Sequence, residues 1–283
     1  MKRFDYLMPT NIKEAIEAQL QYGERAKFIS GGTDVLVRLK QRALDVDCLV
    51  SLRRIPELKG IEANGNTIRI GAMSTFRELI QSQLIKEQLP GLWKAARVLA
   101  NPQIRNVATI GGNISNAAPS ADSVPPLMVL NTNLLIHTPN GLREEALEDF
   151  FLGPGKTRLK EGEVLKEIVV NLPPVNCKTF FVKVGRVSQD IAVVNGAMAI
   201  ELEGDQVKTV KCVLGAVAPT PLRLKGVEQR LLGQKIDPHL LRDVQQLAEE
   251  EVRPISDVRA SAEYRRHLSG VIVRRLIEMA TGI

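Results

Sequence analysis

The chain has 283 residues, enough for one large domain or two ordinary ones. At 44% hydrophobic and 25% charged, without a low-complexity tract, it is neither disordered nor fibrous, and no apolar run approaches the ~18 residues that span a bilayer. The net charge of +6 raises the question of nucleic acid, but basic residues alternate with acids and aromatics are only 4%, leaving few platforms for bases.

An acidic protein partner suits that charge better. The N-terminus (MKRFDYLMPTN) lacks the apolar core of a secretory signal, so a cytoplasmic location is expected. Cys48, Cys177 and Cys212 are dispersed, as are His137, His239 and His267. No metal site or disulfide framework is expected from them, so any redox chemistry must come from an organic cofactor or a partner chain.

In chain order, Met1–Leu7 reads as a short strand and Pro9-Thr10-Asn11 as a helix start, with Ile12, Ala15, Ile16 and Leu20 at helical spacing and Gly23 as the stop. Lys27–Ser30 is extended, Gly31-Gly32 turns, and Thr33 is placed to cap a helix carrying Val35, Leu36 and Leu39. Strand, glycine turn and helix start together present backbone N–H groups to an anion. Cys48–Leu52 is the next strand, and Asn64-Gly65 marks a hairpin within Ile61–Ile70. Thr75 and Glu78 form a capping box, Leu89-Pro90-Gly91 a break, and a second helix runs to about Leu99.

Pro102–Pro126 (PQIRNVATIGGNISNAAPSADSVPP) then repeats the glycine pair at Gly111-Gly112. Bulky apolar residues are scarce from Ser115 to Ser123, so that part is not expected in the core. Pro125-Pro126 suit the first turn of a helix over Leu127–Leu130. A hairpin follows, turning at Asn140-Gly141, and Leu172-Pro173-Pro174 reads as a linker. Three β-like runs come next (Phe180–Val184, Val193–Leu202, Val207–Val217), and the pattern from Lys225 is helical. The last helix has Tyr264, Leu268, Val271, Ile272 and Leu276 on one face, with Arg265, Arg266, Arg274 and Arg275 mostly off it.

One glycine pair is commonly a plain turn. Two of them, each beside a strand and followed by hydroxyl or amide side chains, favour a phosphate-bearing ligand held by charge-assisted N–H contacts. Gly155-Lys156-Thr157 imitates the end of a Walker A loop, but Phe150 stands where its first glycine belongs. The dinucleotide fingerprint also fails, because Arg158 occupies the third glycine position after Gly153 and Gly155. No nucleophile–base pair is visible, so no catalytic residue is assigned. Lys183, inside an apolar β-like run, is either a solvated lysine of an edge strand or a functional one.

The segments KFISGGTDVLVRL, NPQIRNVATIGGNISNAAPSADSVPPL, GPGKTRLKEGEVL, KVGRVSQDIAVVNGA, LGAVAPTPLR and VRASAEYRRHL run through nearly the whole chain. In them the chain resembles the FAD-binding (medium) subunit of the molybdenum hydroxylases, the family of xanthine dehydrogenase and aerobic carbon monoxide dehydrogenase. The likeness is in particular to the separate FAD-binding subunit of bacterial xanthine dehydrogenases. The resemblance implies an α+β fold: a PCMH-type FAD-binding domain of two α+β subdomains over residues 1–174, then a C-terminal domain of antiparallel sheet and helices over 175–283. It implies that Lys27, Phe28, Ile29, Ser30, Gly31, Gly32, Thr33 and Asp34 form a first FAD loop. Thr109, Ile110, Gly111, Gly112 and Asn113 would form a second, the N–H groups of both loops binding the pyrophosphate. Asp122 would hydrogen-bond the cofactor's sugar-like chain, Leu165 would pack on the isoalloxazine, and Lys183 would bring positive charge to the ring's pyrimidine side. With no histidine near either loop, the FAD is expected to be non-covalent.

The function so implied is electron transfer. Electrons from iron–sulfur clusters on a small partner subunit, released by hydroxylation on a large molybdenum-cofactor subunit, would pass through FAD to NAD or another acceptor. Two alternatives are a self-contained flavin reductase or oxidase of the same fold and a non-catalytic nucleotide-binding scaffold subunit.

Overall fold

The computed structural model describes residues 2–282, so the first residue of the expected strand Met1–Leu7 lies outside the described residues. Among them, no helix is long and apolar enough to cross a membrane. A small parallel sheet comes first, with β1 (Asp5–Leu7), β2 (Ala26–Ile29) and β3 (Cys48–Ser51) in the order β1-β3-β2. Parallel neighbours need crossovers, supplied by α1 (Ile12–Tyr22) and α2 (Val35–Lys40). β3 lies in the middle and is buried along its whole length, which explains its unbroken apolar run. The Asn11 side chain caps α1 by accepting from the Glu14 N–H, and Gly23 ends it at φ 58°.

The second sheet is antiparallel. β4 (Ile61–Asn64) and β5 (Thr67–Gly71) form the expected hairpin, with Gly65 at φ 58° in its turn. Six helices follow: α3 (Phe76–Gln81), α4 (Gln83–Gln88), α5 (Pro90–Val98), α6 (Pro102–Arg105), α7 (Ile110–Asn116) and α8 (Val124–Met128). The Thr75/Glu78 capping box is present in both directions. Ser82 adds a break that was not expected, capping α4 through the Ile85 N–H. Then come β6 (Asn133–Thr138), β7 (Gly141–Ala146), a short pair β8 (Phe151–Gly153) and β9 (Lys156–Thr157), and β10 (Val164–Asn171). The sheet order is β4-β5-β10-β6-β7, so its last strand is its middle one. Its inner face and helices α3–α8 share one core that includes Phe76 and Phe150. Full burial of such a side chain stabilises by roughly 1.5–3 kcal/mol.

The third sheet, β11 (Cys177–Val184), β12 (Val194–Glu203), β13 (Gln206–Gly215) and β14 (Leu222–Arg223), is an antiparallel meander. Its two faces serve different cores. Phe181, Ala197, Ala199 and Val213 pack into the core just described. Met198, Ile200, Cys212 and Leu214 pack instead under α9 (Lys225–Leu231), α10 (Pro238–Glu251) and α11 (Ala262–Thr281). Strand alternation alone produces this division.

Two expectations need correcting. The arginine expected off the apolar face of α11, Arg265, is only 3% exposed, whereas Tyr264 is 50% exposed. The Arg265 guanidinium goes inside because carbonyl and carboxylate acceptors meet it there. Nη1 donates to Val193 O at 2.7 Å and Ala216 O at 3.3 Å, and Nη2 donates to Asp257 Oδ1 at 2.7 Å. The segment from Ser115 to Ser123, expected outside the core, buries Ala117, Ala121, Asp122 and Ser123. Small side chains let the third sheet close over it.

Candidate functional site

A cleft of about 760 Å³ opens where the three sheets converge. Lys27, Phe28, Ser30, Gly31, Gly32, Thr33 and Asp34 line it, as do Thr109, Gly111, Gly112 and Asn113 from the second glycine segment. Asp122, Leu165 and Lys183 line it too. Of the expected residues only Ile29 and Ile110 lie elsewhere, each in a hydrophobic core. Both are the large aliphatic members of their segments, and both anchor their loops from behind.

The two glycine segments meet, because glycines remove the Cβ atoms that would keep them apart. A Cβ on Gly31 would lie 2.1 Å from Val107 O, just ahead of the second segment. One on Gly112 would lie 3.6 Å from Ser30 Cβ and 2.9 Å from Thr109 Oγ1. Asn116 Nδ2 also donates to Asp34 Oδ1 at 3.1 Å. Gly32 takes φ +77°, which a side chain would strain.

The segments differ in kind. The first is an open turn from β2 into α2, and Asp34, not Thr33, stands at the helix cap, with no capping bond from its side chain. The backbone N–H groups of Gly31, Gly32, Thr33 and Asp34 have no acceptor among the described residues. Four consecutive unspent donors around a positive-φ glycine suit a diphosphate. The second segment is the first turn of α7 rather than a free turn. Four of its five N–H groups are spent within the protein: Ile110 donates to Ser74 O, Gly111 to Ala72 O, Gly112 to Thr109 Oγ1 and Asn113 to Thr109 O. Of the N–H groups expected to bind a pyrophosphate from this segment, that of Thr109 alone has no partner of its own among the described residues. Gly111 rests on Ala72, where a Cβ would sit 2.5 Å from the alanine methyl, and Gly112 contributes a bare surface towards Ser30.

Also lining the cleft, Lys183 and Asp122 form an ion pair at 2.6 Å with side chains 8% and 7% exposed. Lys183 is thus on an edge strand but not on a solvated face. Its ammonium also donates to Val98 O at 3.3 Å. Burial pushes the Asp122 carboxyl above its ordinary range, and the Lys183 charge and the Asn195 amide pull against that. Asn195 Nδ2 donates to Asp122 Oδ1 at 2.7 Å and to Ser120 O at 3.3 Å. The Ala216 N–H donates to Pro119 O at 2.7 Å.

Lys183, Asn195 and Gly215 are register partners on β11, β12 and β13, so one row across the third sheet grips the segment carrying Asp122. Asn195, Ala216 and Arg265 were not singled out from the sequence. The available signal was an amide inside the apolar run VVNGAMAI. The residues lining the cleft include no histidine, cysteine or tyrosine.

Two family models between them match nearly the whole chain. Residues 2–173 match the family model "FAD binding domain in molybdopterin dehydrogenase". Residues 179–280 match "CO dehydrogenase flavoprotein C-terminal domain". The chain is 34% identical over 278 residues to the carbon monoxide dehydrogenase medium chain of Hydrogenophaga pseudoflava, covering 98% of this chain and 97% of that one. It is 34% identical over 261 residues to the xanthine dehydrogenase FAD-binding subunit of Escherichia coli O157:H7, covering 90% and 89%. Among solved structures it superposes on carbon monoxide dehydrogenase from H. pseudoflava with a TM-score of 0.97 at 33% identity, covering 99% of this chain and 98% of that one. For quinoline 2-oxidoreductase from Pseudomonas putida 86 the TM-score is 0.94 at 28% identity, covering 100% and 99%. The chain therefore belongs to the FAD-binding (medium) subunits of the molybdenum hydroxylases, a family of flavoprotein oxidoreductases.

Proposed function

We propose that this chain is the electron-transfer flavin subunit of a larger complex. It would work beside a small iron–sulfur subunit and a large molybdenum-cofactor subunit and deliver electrons to NAD or another acceptor. The observation that carries the reading is the row of unspent N–H groups at Gly31–Asp34, facing a cleft that both glycine segments enter. The donor set fits FAD: neutral N–H groups for the diphosphate, a carboxylate for hydroxyls, and an aliphatic wall for the ring. When bound, flavin supplies the exchange between single electrons and electron pairs.

Within that reading the N–H groups of residues 31–34 hold the diphosphate, and Gly112 and Asn113 form the facing wall. Asp122 accepts from the sugar-like chain with the lone pairs that Lys183 and Asn195 leave free. Leu165 packs on the ring and Lys183 places a positive charge beside it. Lining without histidine, cysteine or tyrosine favours non-covalent retention. In this role the chain needs no acid or base of its own, because it breaks no substrate bond. The domain division at residues 174/175 belongs to the same reading: the first part forms the two loops, and the second closes on Asp122.

The test is the visible spectrum of the purified full chain, with identification of the proteins that co-purify. A yellow protein accompanied by molybdenum and iron–sulfur chains is expected. A colourless protein whose melting temperature FAD does not raise would sink the proposal. For the acceptor, NADH formation by the assembled complex is measured before and after flavin removal, and persistence without flavin would overturn the relay.

A further inference from the structure

We propose that Asn195 is a positioning residue for the flavin site, acting through Asp122. The proposal rests on the placement of the cofactor against Asp122 and Lys183 given above. Asn195 is 0% exposed on β12, between apolar neighbours Val193, Val194 and Ala197. Its Oδ1 has no hydrogen-bond partner among the described residues. An unpartnered buried acceptor is destabilising, a cost set against the bonds that the Asn195 Nδ2 makes to Asp122 Oδ1 and Ser120 O. The adjoining strand also makes way for the amide, since a Cβ on Gly215 would stand 2.1 Å from Asn195 Oδ1.

What the amide does with its other end is specific: Nδ2 takes Asp122 Oδ1 at 2.7 Å while Lys183 Nζ takes Oδ2 at 2.6 Å. A carboxylate turns easily about its last torsion. With one oxygen held by each neighbour it cannot turn, and the lone pairs it offers the cleft are fixed. Lys183 alone would hold one oxygen and leave the other free.

The test is a double-mutant cycle on the full chain, read by FAD titration and by the flavin midpoint potential. Asn195→Leu is expected to weaken FAD binding roughly tenfold, the scale of one hydrogen bond to a charged group. It should also lower the potential, because a carboxylate held by one donor carries more unshielded negative charge into the cleft. A tenfold change in the ratio of affinities for oxidised and reduced flavin is about 30 mV for a two-electron couple. In an Asp122→Asn background the same substitution should change either quantity by less than about twofold, since Asn195 has no carboxylate left to orient. Asn195→Ser serves the same cycle if the leucine variant does not fold.

Equal effects in both backgrounds, or weaker binding with an unchanged potential, would reduce Asn195 to a packing residue and overturn the proposal. If Asp122→Asn alone leaves affinity and potential unchanged, the placement of the flavin at Asp122 fails, and this proposal fails with it.

Discussion

Lys183 and Asp122, 61 positions apart in the chain, meet at 2.6 Å in a nearly dry environment. One sits on the third sheet and the other just ahead of α8, so the pair ties the two halves of the chain together at the cleft. Such a pair contributes little net stability while both charges remain, but removal of either leaves the other buried and uncompensated.

Lys183→Met is accordingly expected to cost about 3–5 kcal/mol, and Lys183→Met combined with Asp122→Asn to recover most of that. Denaturant unfolding of the two variants checks it. Equal losses in both would show that the lysine's packing matters more than its charge.

Gly112→Val should abolish flavin retention while leaving a folded apoprotein. The added Cβ meets a side-chain hydroxyl, Thr109 Oγ1 at 2.9 Å, and the valine methyls extend towards Ser30 across the gap between the two segments. Loss of affinity by about a hundredfold, some 2.8 kcal/mol at ~1.4 kcal/mol per decade, is the expected size. A yellow variant with normal affinity would remove Gly112 from the site.

FAD itself should stabilise the native chain. Free flavin at about 100 times Kd adds ~2.7 kcal/mol, which raises the melting temperature by several degrees for a chain of this size. The same addition to Gly112→Val then only matches its Kd and should add about 0.4 kcal/mol, a rise of roughly a degree. Differential scanning fluorimetry of both proteins decides the matter.

Arg265→Lys, despite keeping the charge, should lose about 2 kcal/mol. A lysine cannot reach Val193 O, Ala216 O and Asp257 Oδ1 from one planar fork, and acceptors left bare inside are expensive. A fall in melting temperature at neutral pH checks this.

Asp257 gives a pH signature. Burial works against its ionisation, but the Arg259 N–H, the Arg265 guanidinium and the Ala260 N–H outweigh it and bring the carboxyl down to about 2 from an ordinary 3.8. A group whose folded value is depressed contributes stability that is complete above its unfolded value and disappears as pH falls through the folded one. The melting-temperature gap between the native chain and Asp257→Asn should therefore be full at pH 5 and shrink between about pH 4 and pH 2. A constant gap would show that the carboxylate's charge contributes nothing.

Local signals explain what was legible beforehand. The helix start at Asn11, the Thr75/Glu78 box and the turns at Asn64-Gly65 and Asn140-Gly141 act over a few residues and are found within one residue of where they are expected. The Gly111-Gly112 pair was seen but its conformation was not, since a glycine pair serves a helix packed tightly on Ala72 as readily as an open turn. The row Lys183–Asn195–Gly215 was out of reach, because register between antiparallel strands depends on the turns that join them. Arg265 failed for a related reason. Helical periodicity assigns a residue to a face by its polarity, whereas here carbonyls at Val193 and Ala216 had already made that face polar.

The two-sided sheet imposes a counting rule on the C-terminal half. Lys183, Asn195 and Gly215 share the odd-numbered side with Phe181, Ala197 and Val213. Loss or gain of a single residue just before Asn195 would exchange the sides of β12, sending the amide beneath the helices and Met198 into the core that holds Ala197 and Ala199. The one register shift between β12 and β13, at Glu201/Leu202, lies at the far end of the strands from Asn195, so the parity that aims the amide at Asp122 is kept where it matters.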